Sequence, residues 1–192
     1  MIRRLYNWTI SLAQTPYALW ALAVVSFVES SVFPIPPDVL MIPMIIARPS
    51  RAWVIAGVAL VASVLGGLFG YFIGAILYDA VGLPILEFYG KTEAAEAFKG
   101  RFNEWGAWAV LIAGMTPFPY KVITILSGTT GLSLPVFILS SIIARGLRFF
   151  IVAALLWKFG APIRTFIEKR LGLLFAVFLV LLICGFYLVK YL

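Results

Sequence analysis

The sequence predicts an all-α polytopic membrane protein. It has two inverted repeats, each a re-entrant hairpin plus a long transmembrane helix, then a C-terminal transmembrane helix, with amphipathic helices at the interface. Three observations predict this. The 192 residues are 63% hydrophobic and only 12% charged, against roughly half and a quarter in a soluble domain. Charge-free runs of spanning length occur at Ala52 to Tyr78 and Leu171 to Val189, and a crossing helix needs about 20 apolar residues. Finally, two proline-broken segments match each other and each precedes a long apolar run.

The elements follow in chain order as one membrane domain, 1–192. Residues 1–16 read as an interfacial helix, with Leu5, Trp8 and Leu12 opposite Arg3, Asn7, Ser11 and Gln14. The segment 17–47 reads as the first re-entrant hairpin, broken by Pro34, Pro36 and Pro37. Each proline lacks an N–H and restricts its predecessor, so helix stops on both sides. The span 52–78 is a transmembrane helix. Residues 79–106 form a polar linker, in which Thr92 caps an amphipathic helix with Ala94, Ala95, Phe98, Phe102 and Trp105 on one face. The second hairpin, 107–131, breaks at Pro117 and Pro119, and a further break is expected at Gly131-Leu132-Ser133. Transmembrane helices at 134–158 and 171–190 complete the chain.

Pro34-Ile35-Pro36-Pro37-Asp38-Val39 aligns with Pro117-Phe118-Pro119-Tyr120-Lys121-Val122 as Pro-x-Pro-x-charge-Val. A hairpin plus one span, repeated after a linker, places the second copy upside down, with a binding site at the repeat interface. Basic residues favour a cytoplasmic N-terminus. Arg3, Arg4, Arg48, Arg51, Lys158, Arg164, Lys169 and Arg170 fall on one side, and Lys91, Lys99, Arg101 and Lys190 on the other. The net charge of +7 is thus explained by orientation and lipid headgroups rather than nucleic acid. All six tryptophans fall near expected helix ends.

The absence of histidine removes His-based zinc sites and Ser-His dyads. The single Cys184 excludes an intrachain disulfide. Neither a catalytic centre, a metal site nor a cofactor is read. What remains is a set of ionisable groups at membrane depth, where each is expensive and usually pairs or lines a pathway. Glu29 and Asp38 lie in the first hairpin; Lys121, Arg145 and Arg148 lie in the second half, beside Thr116 and Tyr120. Two acids against three bases leave spare positive charge, which suits an anion such as phosphate. The acids are the candidate proton-coupling or gating groups. An ion-pair network that only braces the hairpins fits the same residues. Gly66, Gly70 and Gly74 form a ridge for close helix packing, and no Lys-Ser or Lys-Thr follows them as a P-loop requires.

Phe27-Val28-Glu29-Ser30-Ser31-Val32-Phe33-Pro34-Ile35-Pro36-Pro37-Asp38 and Gly66-Gly67-Leu68-Phe69-Gly70-Tyr71-Phe72-Ile73-Gly74 resemble the DedA family, whose domain is also called VTT or SNARE-associated. Thr116-Pro117-Phe118-Pro119-Tyr120-Lys121 and Ala144-Arg145-Gly146-Leu147-Arg148-Phe149-Phe150 resemble its shorter bacterial branch. The resemblance implies two opposed re-entrant hairpins and a flippase or scramblase of the bacterial inner membrane. The cargo it implies is phospholipid or undecaprenyl phosphate, and its essential acidic pair matches Glu29 and Asp38. The Arg-x-x-Pro-Gly-x-Arg pattern of the better-known branch is replaced here by Thr-Pro-x-Pro-Tyr-Lys, so lipid identity and proton coupling stay open. Two other classes compete: a proton-coupled exporter of small cations or drugs, and a non-transporting membrane organiser. Membrane lipids are the expected partners. Whether copies form a homo-oligomer is open at this stage.

Overall fold

The computed structural model describes Thr15 and residues 17–32, 36–116 and 119–189, with side chains described as far as Gly160 and at Pro162. The expected interfacial helix before Thr15, together with Pro34 and Pro117, lies outside the described residues, as does the Cys184 side chain. All regular structure among the described residues is helical: α1 (Ala18–Ser31), α2 (Asp38–Ala47), a 3-10 turn (Pro49–Arg51), α3 (Ala52–Leu77), a π turn (Tyr78–Gly82), α4 (Leu83–Phe88), α5 (Thr92–Met115), α6 (Tyr120–Thr129) and α7 (Leu134–Val189). Two stretches, Pro49–Phe88 and Leu134–Gly160, are long and apolar enough to cross a membrane.

The proline clusters break the helices where expected. Pro36 and Pro37 cannot donate but can accept, and their carbonyls take the amides of Val39 (3.2 Å) and Met41 (2.9 Å) to start α2. Asp38 sits in that first turn, where a helix N-terminus favours negative charge. At the second break Thr116 is extended and α6 starts directly after Pro119. The break at 131–133 is a Schellman closure: Gly131 has φ +67°, and Leu132 N–H bonds to the Ser127 carbonyl at 2.9 Å.

Three boundaries differ from expectation. Thr92 does not cap; Lys91 holds the cap position and no side-chain cap bond forms. The helix starting there runs on to Met115, fusing the amphipathic part of the linker to the first arm of the second break. Nothing between Trp105 and Ala107 stops it, because Gly106 lies where Leu132 fills the space of its missing side chain. The first long helix likewise continues past Tyr78 through the π turn into α4, with Lys99 of α5 seated 3.8 Å over the Tyr78 ring. Lastly, a single helix covers Leu134–Val189, where a connector between two spans was expected at 159–170. Gly160 and Pro162 lie inside that helix without ending it, although proline there removes a backbone donor and crowds the preceding turn.

Packing is organised by the two long helices. α1 and α6 lie along α3, α2 and α5 lie along α7, and α3 crosses α7. The inward face of α3 is built from small residues: Ala56, Ala59, Ala62, Ser63, Gly66, Gly70 and Gly74 are all buried. A side chain on Gly66 would collide with the Phe27 carbonyl of α1, and one on Gly74 with the Ile125 carbonyl of α6. The contact is reciprocal, because a side chain on Gly128 of α6 would meet the Tyr71 carbonyl of α3. At Gly66 and Gly74 backbone therefore packs on backbone, while Gly70 faces the Thr124 side chain. Outward, α3 exposes Val61, Leu65, Phe72 and Ile76, and α7 exposes Leu139, Ile143 and Ile151. These faces suit lipid rather than water. The five described tryptophans are half to mostly exposed, and Trp53 stacks on Phe150 at 6.0 Å.

Gly74→Ala should lower stability by about 1–3 kcal/mol, the usual cost of overpacking, because the obstructing atom is backbone. Gly57→Ala, on the same helix with open space around it, should be neutral or slightly stabilising. Thermal unfolding of the purified protein in detergent, followed by tryptophan fluorescence, checks both.

Candidate functional site

Arg145 and Arg148 stand one turn apart on α7 and point at the two arms of the first break. A spacing of three residues puts them on one helix face. Arg145 Nη2 donates to Glu29 Oε2 of α1 at 2.7 Å, and Arg148 Nη2 donates to Asp38 Oδ2 of α2 at 2.6 Å. One helix of the second half thus holds both arms of the first.

The two pairs differ in their surroundings. Arg145 is 1% exposed and Glu29 13%. The Arg145 Nε–H donates to Ser63 Oγ of α3 at 2.7 Å. Its guanidinium lies 4.8 Å from the ring centre of Tyr120 and 4.7 Å from that of Phe149, which is cation–π distance. Tyr120 is itself fully buried and donates to Ser141 Oγ. Arg148 and Asp38 are each 19% exposed. Arg148 Nη1 also donates to the Thr116 carbonyl at 3.0 Å, so Thr116 enters the site through its backbone.

Helix ends explain much of the remaining polar wiring. The last carbonyls of a helix have no partner within it, and at the breaks they are met by groups from elsewhere. Thr124 Oγ1 donates to the Ser30 carbonyl at 3.1 Å, and Lys121 Nζ reaches the Val32 carbonyl at 3.4 Å. Cations are favoured at a helix C-terminus, and Lys121 and Arg148 each serve one, on α1 and on α5. Lys121 forms no ion pair among the described residues, so it carries the spare positive charge read from the sequence. Pro36, Pro37 and Pro119 frame the same breaks.

The structure thus brings Glu29, Asp38, Thr116, Tyr120, Lys121, Arg145 and Arg148 into one polar seam between the halves. Gly66, Gly70 and Gly74 lie behind it as packing. Sequence reading missed Ser30, Ser63, Thr124 and Ser141. A weak signal existed, since Ser26 and Ser30 repeat at helical spacing beside Glu29. Ser63, a lone hydroxyl in an apolar run, gave none. Among the described residues no three His, Cys, Asp or Glu side chains are grouped as a metal would need.

Two broken helix pairs, two long apolar helices and a seam of paired charges between them define a helical membrane protein with ionisable groups in its interior. The VTT-domain model matches residues 35–158, from the first break through the arginine helix, and the chain belongs to that family, the DedA family. It is 36% identical over 168 residues to an uncharacterized protein of Haemophilus influenzae, covering 85% of this chain and 87% of that one. An uncharacterized protein of Histophilus somni is 39% identical over 168 residues, with the same coverage of 85% and 87%. No solved structure matches the chain.

Removing one partner of a buried ion pair leaves the other charge uncompensated, at about 3–5 kcal/mol. Arg145→Ala should therefore destabilise by that amount. Arg148→Ala, whose pair reaches solvent and is screened, should lose less, about 1–2 kcal/mol. Unfolding midpoints of the two variants in one detergent give the order directly.

Proposed function

We propose that this protein moves lipids with phosphate headgroups, such as phospholipid or undecaprenyl phosphate, across the bacterial inner membrane. The observation that carries the reading is the unequal engagement of three cations in one seam. Arg145 is enclosed, with Nε and Nη2 both bonded and two rings against it. Arg148 is partly exposed, and Lys121 holds only a carbonyl at 3.4 Å. An arriving phosphate finds its two donors in Arg148 and Lys121, and it competes with Asp38 for the first. Arginine can fork onto two phosphate oxygens, and lysine adds a point charge. The acyl tails stay in the bilayer while the headgroup crosses.

The displaced carboxylate gives the proposal its proton step. Once phosphate takes Arg148, Asp38 is left without its cation, and a proton taken up there would restore the lost countercharge. Glu29 would do the same if Arg145 swung away. The two proline breaks then act as opposed re-entrant hairpins in an inverted repeat, rocking around the seam. Support for that arrangement is the crosswise packing. Each long helix is lined by the first arm of its own half and the second arm of the other.

Reconstitution in liposomes with labelled lipids is the test. Wild-type protein should translocate phosphate-bearing lipids and not a neutral-headgroup analogue. Arg148→Ala should reduce the rate at least about tenfold, the equivalent of one charge-assisted contact, with Arg148→Lys intermediate. The double variant Asp38→Asn/Arg148→Ala removes the pair without stranding a charge, so it should fold and still not transport. Transport by that double variant at the wild-type rate would sink the headgroup role. A rate that follows an imposed proton gradient in wild type but not in Asp38→Asn supports coupling.

Topology has its own measurement. With Cys184 replaced by Ser, single cysteines at Tyr17 and Arg51 flank the first break. Impermeant thiol reagents should label both from the same side of the membrane. Labelling from opposite sides would rule out a re-entrant hairpin.

A further inference from the structure

Hydroxyl protons around Arg145 are ordered by a group that can only donate. Arg145 Nε–H can only donate, so Ser63 Oγ accepts it at 2.7 Å. The Ser63 proton must then point elsewhere, and Ser30 Oγ lies 2.7 Å away. With Ser63 donating and Ser30 Oγ accepting, the Ser30 proton has two acceptors within reach. One is Glu29 Oε2 at 3.2 Å; the other is the Ser26 carbonyl, one helical turn back, at 2.9 Å. Ser26, Ser30 and Ser63 are fully buried, so water does not compete for these protons. The result is a ring. It runs from Arg145 through Ser63 and Ser30 to Glu29, and closes through the direct 2.7 Å bond from Arg145 Nη2 to Glu29.

We propose that Ser63 and Ser30 are positioning residues for the Arg145–Glu29 pair: a directional hydroxyl relay that holds the guanidinium in place and keeps the hydroxyl donors partnered when the carboxylate leaves. The inference rests on the reading that Glu29 changes partner during lipid transport. When Glu29 swings away or is neutralised, the Ser30 proton turns to the Ser26 carbonyl. Arg145 keeps Ser63 and its two aromatic rings. Arg145 Nε–H and the Ser63 and Ser30 hydroxyls keep their acceptors, so the cost of opening falls on the released Nη2. The relay also ties three helices to one event, because Ser30 is on α1, Ser63 on α3 and Arg145 on α7. Ser63 makes no bond to Glu29, so any energetic link between them must pass through Ser30 or Arg145.

The test is a double-mutant cycle on the purified full chain in detergent, read by thermal unfolding. Ser63→Ala should lower Tm by about 2–4 °C, the shift expected for one lost hydrogen bond in a chain of this size. In a Glu29→Gln background the same change should cost less than half as much. Additive effects of Ser63→Ala and Glu29→Gln would overturn the relay, since independent sites add. Should Ser63→Ala fail to fold, the cycle runs between Ser30→Ala and Arg145→Lys, which do not touch, and additivity there overturns it equally. In proteoliposomes Ser63→Ala should slow lipid translocation several-fold and Ser63→Thr, which keeps the hydroxyl, should recover it. A wild-type rate in Ser63→Ala overturns the positioning role. If wild-type protein moves no lipid, the proposed function fails while the unfolding cycle still reports on the relay.

Discussion

A guanidinium held out of water sets the terms for the rest of this structure. Arg145 cannot lose its proton, so its charge must be matched by protein groups on every side. Glu29 supplies the countercharge, Ser63 takes Nε, and Tyr120 and Phe149 cover the faces. These partners come from α1, α3, α6 and α7, so satisfying one side chain fixes four helices relative to one another. The broken helices are part of the same solution. Their loose carbonyls need donors from outside the helix, and Lys121, Thr124 and Arg148 supply them.

The glycines make that geometry reachable. A guanidinium and a carboxylate on different helices meet only if the intervening helix is thin. α3 is thin because its inner face carries alanine, serine and glycine. Gly66 lets α1 approach until Phe27 backbone touches α3, which brings Ser30 within 2.7 Å of Ser63. A larger residue at either place would push the hydroxyl row apart before it disturbed the ion pair.

Much of this was legible in the sequence. Composition and run length gave the membrane class, because burying apolar surface in lipid leaves no subtler signature. The breaks were legible because proline acts locally: it removes a donor wherever it stands. The charged residues of the seam stood out for the same reason that they are costly there. Helix ends were less legible. Thr92 looked like a cap, yet the helix begins there without one, and 159–170 looked like a connector that the helix runs through. Polar residues near an interface satisfy a helix or a loop equally well, and tertiary packing decides. Ser63 was invisible because its meaning lies in a bond to Arg145, 82 residues away. Which cation would face solvent was equally beyond reach, since Arg145 and Arg148 are the same residue type on the same face.

Where Gly74 meets Ile125 and Gly128 meets Tyr71, bare backbone lies on bare backbone with no side chain between. Such a contact fixes register. Interdigitated side chains can repack in new registers and let helices slide, but a glycine that shifts by one residue puts a β-carbon into a carbonyl. The crossing therefore resists sliding of α3 along α6. It pins the register of α3, and with it the depth at which Ser63, eleven residues from Gly74, meets Arg145.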